Sequence, residues 1–139
     1  MGDRSLVVWS LERVAELHGD PTPEVYARLF AGNPQFEAMF LLDRQNAARG
    51  AMLGHVIDTL LDLAGPRTYG ANMIYAEMTN HSGIGVPPVQ FVTFFDIVKS
   101  VFRDLLGGEW TPQVDEAWDD TLREVKQIVA KVEAAQAAA

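Results

Sequence analysis

The chain has few side chains able to bind a metal, and one of its three histidines stands out by its context. His81 opens the run His81-Ser82-Gly83-Ile84-Gly85-Val86, just before a long apolar segment. With no cysteine present, a metal site must be built from imidazole or carboxylate. A neutral imidazole suits iron, copper, zinc or nickel. A lone axial imidazole held in an otherwise apolar helical pocket is one way in which proteins hold haem iron. The plainer reading of His81 is a surface or helix-end imidazole, and the residue by itself does not choose between the two.

Composition bounds what can position such a residue. A chain of 139 residues makes one domain, large enough to bury roughly two-thirds of its unfolded surface without disulfides or a structural metal. The lack of cysteine fits a reducing compartment. A formal net charge of -8 argues against nucleic acid or anionic lipid as the main partner, since both reward clustered Lys and Arg. The N-terminus has no basic stretch leading into an apolar core and a cleavage site, and no apolar run approaches the ~18 residues of a membrane helix. A soluble, cytoplasmic protein is expected, with neither nucleic acid nor membrane as partner.

Hydrophobic periodicity predicts helix almost throughout. Ser5 to His18 spaces Leu6, Val7, Trp9, Leu11, Val14 and Leu17 mostly three and four apart until Gly19-Asp20-Pro21 stops it. A second helix starts in Pro21-Thr22-Pro23, where Thr22 can cap, and carries Val25, Tyr26, Leu29 and Phe30 to Gly32-Asn33-Pro34. Gln35 to Phe40 reads as one tight turn leading to a polar loop. From about Asn46 to Ala64 a long amphipathic helix runs to Gly65-Pro66. Ala71 to His81 is weakly periodic and breaks at Gly83. Pro87-Pro88 opens a strongly apolar helix to Leu106, and Thr111-Pro112 begins the last helix, with Val114, Trp118, Leu122, Val125 and Val129. The Ala-rich end from Ala134 is expected to fray. Nothing reads as a paired strand, a repeat or a second domain.

Several features carry only a bland reading. Gly83-Ile84-Gly85 lacks a preceding strand and is no phosphate loop. Asp115-Glu116 and Asp119-Asp120 read as charges on the solvated side of the last helix. Trp9, Trp110 and Trp118 occupy core spacing, and His18 is placed to cap carbonyls at the end of the first helix.

Taken together, Val25-Tyr26-Ala27-Arg28-Leu29-Phe30-Ala31-Gly32-Asn33-Pro34 with Phe40, then His81 with Gly85-Val86, then Trp110-Thr111-Pro112-Gln113-Val114 and Ala117-Trp118, resemble a bacterial globin. The likeness is nearest to single-domain haemoglobins and the haem domain of flavohaemoglobins, and it covers the chain from the first helix to about Glu133. It implies an all-α globin fold over 1–133, an Ala-rich tail at 134–139, and one haem b (iron protoporphyrin IX). His81 falls on the proximal histidine, whose second ring nitrogen a nearby carbonyl or hydroxyl would orient. Phe40 falls on the phenylalanine that stacks against the porphyrin, and Pro34 on the proline that starts the short third helix. Val86, Phe91, Leu53 and Ile57 are implied as further walls of the haem pocket.

On the distal side Tyr26 falls where many bacterial globins place a tyrosine that reaches the gas. A donor aimed at a partly negative ligand contributes on the order of 1–3 kcal/mol in a dry pocket; the competing reading is an ordinary core aromatic. Counting back from His81 by the family's interval puts Gly50 at a close helix crossing and Arg49 at the distal gate. Leu53 then sits over the haem, with Ile57 and Leu60 continuing the face. A solvent-exposed Arg49 is the alternative. A register slid by one and a half turns would instead make His55 the distal residue or a sixth iron ligand, with Thr59 at the ligand-facing step.

The resemblance breaks at chemically relevant positions. Flavohaemoglobin-type domains brace the proximal histidine with a tyrosine and a glutamate; here the glutamate position is Glu133, but the tyrosine position is Phe91. Glu77 stands where leucine is usual. No flavin or nicotinamide domain is expected, so nitric-oxide dioxygenation would need a separate reductase, and enzyme activity is not the expectation. What the resemblance implies is reversible binding of oxygen or another diatomic gas, nitric oxide or carbon monoxide, for transport, storage, sensing or scavenging, by a monomer or homodimer. The competing class is a haem-free globin that serves as an interaction or stress-sensing module.

Overall fold

The computed structural model of the chain describes residues 3–43, 47–83, 86 and 88–138. Helix α1 covers Ser5–His18 and α2 Thr22–Gly32, and a 3₁₀ segment, Pro34–Phe40, follows. Helices α3 (Ala47–Ala64), α4 (Gly70–Gly83), α5 (Pro88–Leu106) and α6 (Pro112–Ala138) complete the order. No strand occurs among the described residues, so the expected all-α class holds. Among them, too, no helix is long and apolar enough to cross a membrane.

Helix ends follow the proline and glycine punctuation. Gly19 takes φ of 70° and donates its N–H to Ala15, closing α1. Before α2 the capping oxygen comes from Asp20 rather than Thr22: the Asp20 carboxylate accepts the Thr22 N–H at 3.0 Å and its hydroxyl at 2.6 Å. Asp43 does the same for α3, accepting the N–H groups of Ala48 at 2.7 Å and Arg49 at 3.1 Å. The residues expected to begin α3 and to lead into α5, Asn46 and Pro87, lie outside the described residues, as does Gly85 of the family pattern.

The core is built from one stripe of each helix. Val7, Leu11 and Val14 of α1 meet Val114, Trp118, Leu122 and Val125 of α6, with Phe95, Val98 and Phe102 of α5 beside them. A buried polar pair sits inside it. The Trp118 indole N–H donates to Ser10 Oγ at 2.8 Å, and that hydroxyl donates to the Val7 carbonyl at 2.7 Å, so neither buried group is left unmet. Trp9 departs from its expected core place and is 36% exposed. The last-helix acids are likewise more than solvated charges: Asp115 and Asp119 hold Lys99 at 3.1 and 2.6 Å, and Asp120 accepts from Arg4 at 3.0 Å. His18 reaches the Leu105 carbonyl of α5 at 2.8 Å instead of its own helix end.

The corner between α3 and α4 sets the position of α4, and so of His81. Asp62 is buried, and its carboxylate accepts N–H bonds from Thr68 (2.9 Å), Tyr69 (3.1 Å) and Gly70 (2.6 Å) and the Thr68 hydroxyl at 3.1 Å. Burial pushes this carboxyl up, but those hydrogen bonds outweigh it and hold the group below the usual carboxylate range. A Cβ at Gly70 would lie 2.9 Å from Asp62 Oδ2 and Leu63 Cδ2, so a larger residue there would have to displace the carboxylate that makes the cap. The tail expected to fray remains helical to Ala138, though exposed.

Candidate functional site

Between α3, α4, α5 and the 3₁₀ segment lies a cavity of about 710 Å³, within the range of cofactor and ligand pockets. Phe91, Phe94 and Phe95 of α5 form one wall, Phe36, Met39 and Phe40 another, and Met52, Val56 and Thr59 of α3 a third. His81, Glu77, His55 and Gln90 are polar groups on a largely apolar lining.

His81 sits in the last turn of α4 with its side chain 17% exposed. Its Nδ1 lies 2.6 Å from the Glu77 carbonyl oxygen. A carbonyl can only accept, so Nδ1–H is the donor, and in the neutral ring Nε2 keeps its lone pair. Phe91 packs edge-on against the imidazole at 5.5 Å and passes the contact to Phe95 at 5.6 Å. Val86 is drawn back to the helix end by its N–H bond to the His81 carbonyl at 2.9 Å. An imidazole oriented through Nδ1 with Nε2 free, on the wall of an apolar cavity, is a donor set that fits an axial bond to haem iron.

Four of the eight residues expected at the pocket line this cavity: His81, Phe40, Val86 and Phe91. The other four, Leu53, Ile57, Tyr26 and Arg49, stand behind the lining. Leu53 is 2% exposed and belongs with Leu60 and Leu63 to the central core, against which Ile57 also packs. The face of α3 turned to the cavity is Met52, His55, Val56 and Thr59, spaced as one helical stripe. The expected register asked for a tight helix crossing at Gly50, where a Cβ would meet nothing within 4 Å. His55 and Thr59, the residues of the slid register, are the ones on the wall.

Arg49 lies over the rings of Phe30 and Phe40, at 5.6 and 5.3 Å from their centroids, and pairs with Asp43 at 3.5 Å. It thus backs Phe40 instead of gating the cavity. Tyr26 is 2% exposed and wedged among Phe30, Phe40 and Phe94 at 5.4 to 5.8 Å. Its hydroxyl has no hydrogen-bond partner among the described residues, which is costly for a buried donor. Burial pushes the phenol far above its usual pKa, with nearby Arg49 opposing. Two of the rings against it, Phe40 and Phe94, line the cavity.

Glu133 is exposed on α6. The charged neighbour of His81 is Glu77 instead, whose Oε2 is 3.8 Å from His81 Nδ1 and whose Oε1 is 3.1 Å from His55 Nδ1. Gln136, in the tail expected not to pack, borders a small recess shared with Met78, His81 and Phe91. Residue patterning missed Met52 and Val56 as wall residues, although a second apolar stripe on α3 is visible at three- and four-residue spacing; Glu77, singled out as a departure from the family pattern, lies on the wall beside His81.

No curated protein matches the chain. A family model described as Globin matches residues 23–129, a stretch that runs from α2 through most of α6 and includes every residue named on the cavity wall. The match takes in well over half of the 139 residues, and the chain belongs to the globin family, whose members in general bind gases through haem.

Proposed function

We propose that this globin holds one five-coordinate haem b through His81 and reversibly binds oxygen or another diatomic gas, in the manner of bacterial single-domain haemoglobins. The observation that carries the reading is the His81 ring. Its Nδ1–H is committed to the Glu77 carbonyl at 2.6 Å, which leaves Nε2 for a metal on the wall of an apolar cavity. Haem, when bound, would supply an iron with a coordination position for the gas. The protein's own residues would do the rest. His81 anchors, Phe40, Val86 and Phe91 keep water from the ring faces, and Arg49 and Leu53 back the wall that Phe40 begins. Tyr26 supports the gas-binding part of the reading: it stands behind Phe40 and Phe94, and its buried hydroxyl, without a hydrogen-bond partner among the described residues, becomes a donor to a partly negative ligand once those rings admit it.

Reconstitution with haem tests this directly. The wild-type protein should develop a Soret band, and His81→Ala should largely abolish it. A variant that keeps the wild-type axial-ligand spectrum would move the iron ligand to His55 or His18. A wild-type protein that takes up no haem would overturn the haem reading and favour a haem-free interaction module.

A further inference from the structure

Among the described residues, Glu77 is the carboxylate that lies beside both histidines near the cavity, and it joins α3 to α4. On α4 it stands one turn before His81, on the same helical face. Its backbone carbonyl takes the His81 Nδ1–H bond at 2.6 Å. Its carboxylate oxygen Oε2, at 3.8 Å from the same nitrogen, is too far for a hydrogen bond and acts through its charge. The other oxygen is held at 3.1 Å by His55 Nδ1 from α3, and the His55 carbonyl in turn accepts the Thr59 hydroxyl at 2.8 Å. The side chain of Glu77 is only 25% exposed on a largely apolar wall, where a charge is screened less than on the open surface.

We propose that Glu77 is the positioning residue for His81: its carbonyl fixes the ring's tautomer, and its carboxylate, pinned by His55, makes the imidazole a stronger electron donor. This rests on the reading of His81 as the iron ligand. It places on α4 itself the negative charge that neither Phe91 nor the exposed Glu133 delivers. A carboxylate near a ligating imidazole raises its basicity and stabilises the oxidised metal.

The test compares haem-loaded wild type with Glu77→Gln, Glu77→Leu and His55→Leu. Two quantities are read, the iron–histidine stretching frequency by resonance Raman and the ferric/ferrous midpoint potential by spectroelectrochemistry. Both Glu77 variants should retain the Soret band, lower the stretching frequency and raise the potential; His55→Leu should move both quantities the same way by less. If the Glu77 variants load haem and leave both quantities at wild-type values, the proposal is wrong. Should they fail to load, His55→Leu decides, since that residue is half exposed, and an unshifted spectrum there overturns the proposal equally. A wild type that binds no haem is a separate failure, of the function reading itself.

Discussion

The unpartnered hydroxyl of Tyr26 sets stability against function at a single atom. A buried donor left unmet costs about 1–3 kcal/mol, so Tyr26→Phe should stabilise the haem-free protein, by about 1 kcal/mol in chemical denaturation. In the loaded protein the same change should raise the oxygen dissociation rate by about 5- to 100-fold, the kinetic equivalent of ~1–3 kcal/mol, with carbon monoxide, a poorer acceptor, responding less. An unchanged oxygen off-rate would show that the hydroxyl serves packing alone. The order of residues and the family likeness together point to His81, Phe40, Val86 and Phe91, and all four line the cavity. Order and likeness were not enough for Arg49. A long cation can lie over neighbouring rings or reach into a cavity from the same backbone position, and here it lies over Phe30 and Phe40 with Asp43 beside it.

Helices were legible where proline and glycine bound them, as at Pro88–Leu106 and Ser5–His18. The orientation of α3 was not. Its Leu53, Leu60 and Leu63 face the core while Met52 and Val56 face the cavity, and hydropathy cannot tell an apolar wall that meets protein from one that meets a void. The tail continues α6 as exposed helix: alanine has the highest helix propensity, and once α6 is nucleated the helix propagates through such residues with little packing. Nor did patterning reveal the α3–α4 corner, whose anchor is a single buried acid. Asp62→Ala should strip the acceptor from the N–H groups of Thr68, Tyr69 and Gly70 and destabilise the protein by about 2–3 kcal/mol. Hydrogen exchange at those three amides should accelerate beyond the global loss. Wild-type exchange rates there would mean that α4 is held by its packing and not by the cap.

At the scale of the whole molecule, one ion network ties the chain's beginning to its middle and end. Arg4, ahead of α1, binds Asp120 and Glu124 of α6, while Arg67, in the α3–α4 corner at φ of 60°, grips Glu124 through two bonds of 2.8 and 2.6 Å. A left-handed arginine is an uncommon conformation, and the bidentate grip together with its N–H bond to the Asp62 carbonyl at 2.8 Å holds it there. Hydrogen bonds from Arg67 come first among the causes that bring the Glu124 carboxyl from 4.5 down to about 2, against an opposing push from burial. Because the folded value lies below the unfolded one, the network's contribution is present in full above about pH 4.5 and is lost as pH falls through about 2. Glu124→Gln should therefore lower the unfolding free energy by on the order of 2 kcal/mol at neutral pH, allowing for partial solvent screening. The gap from wild type should narrow steadily in acid and close near the bottom of that window. Other carboxyls, Asp62 among them, are also held below their usual value, which is why the difference between the two proteins and not the wild-type curve alone is the quantity to follow. A gap that stays constant from neutral pH to pH 2 would mean that the carboxylate's charge contributes nothing and that Glu124 acts only by filling space between Arg4 and Arg67.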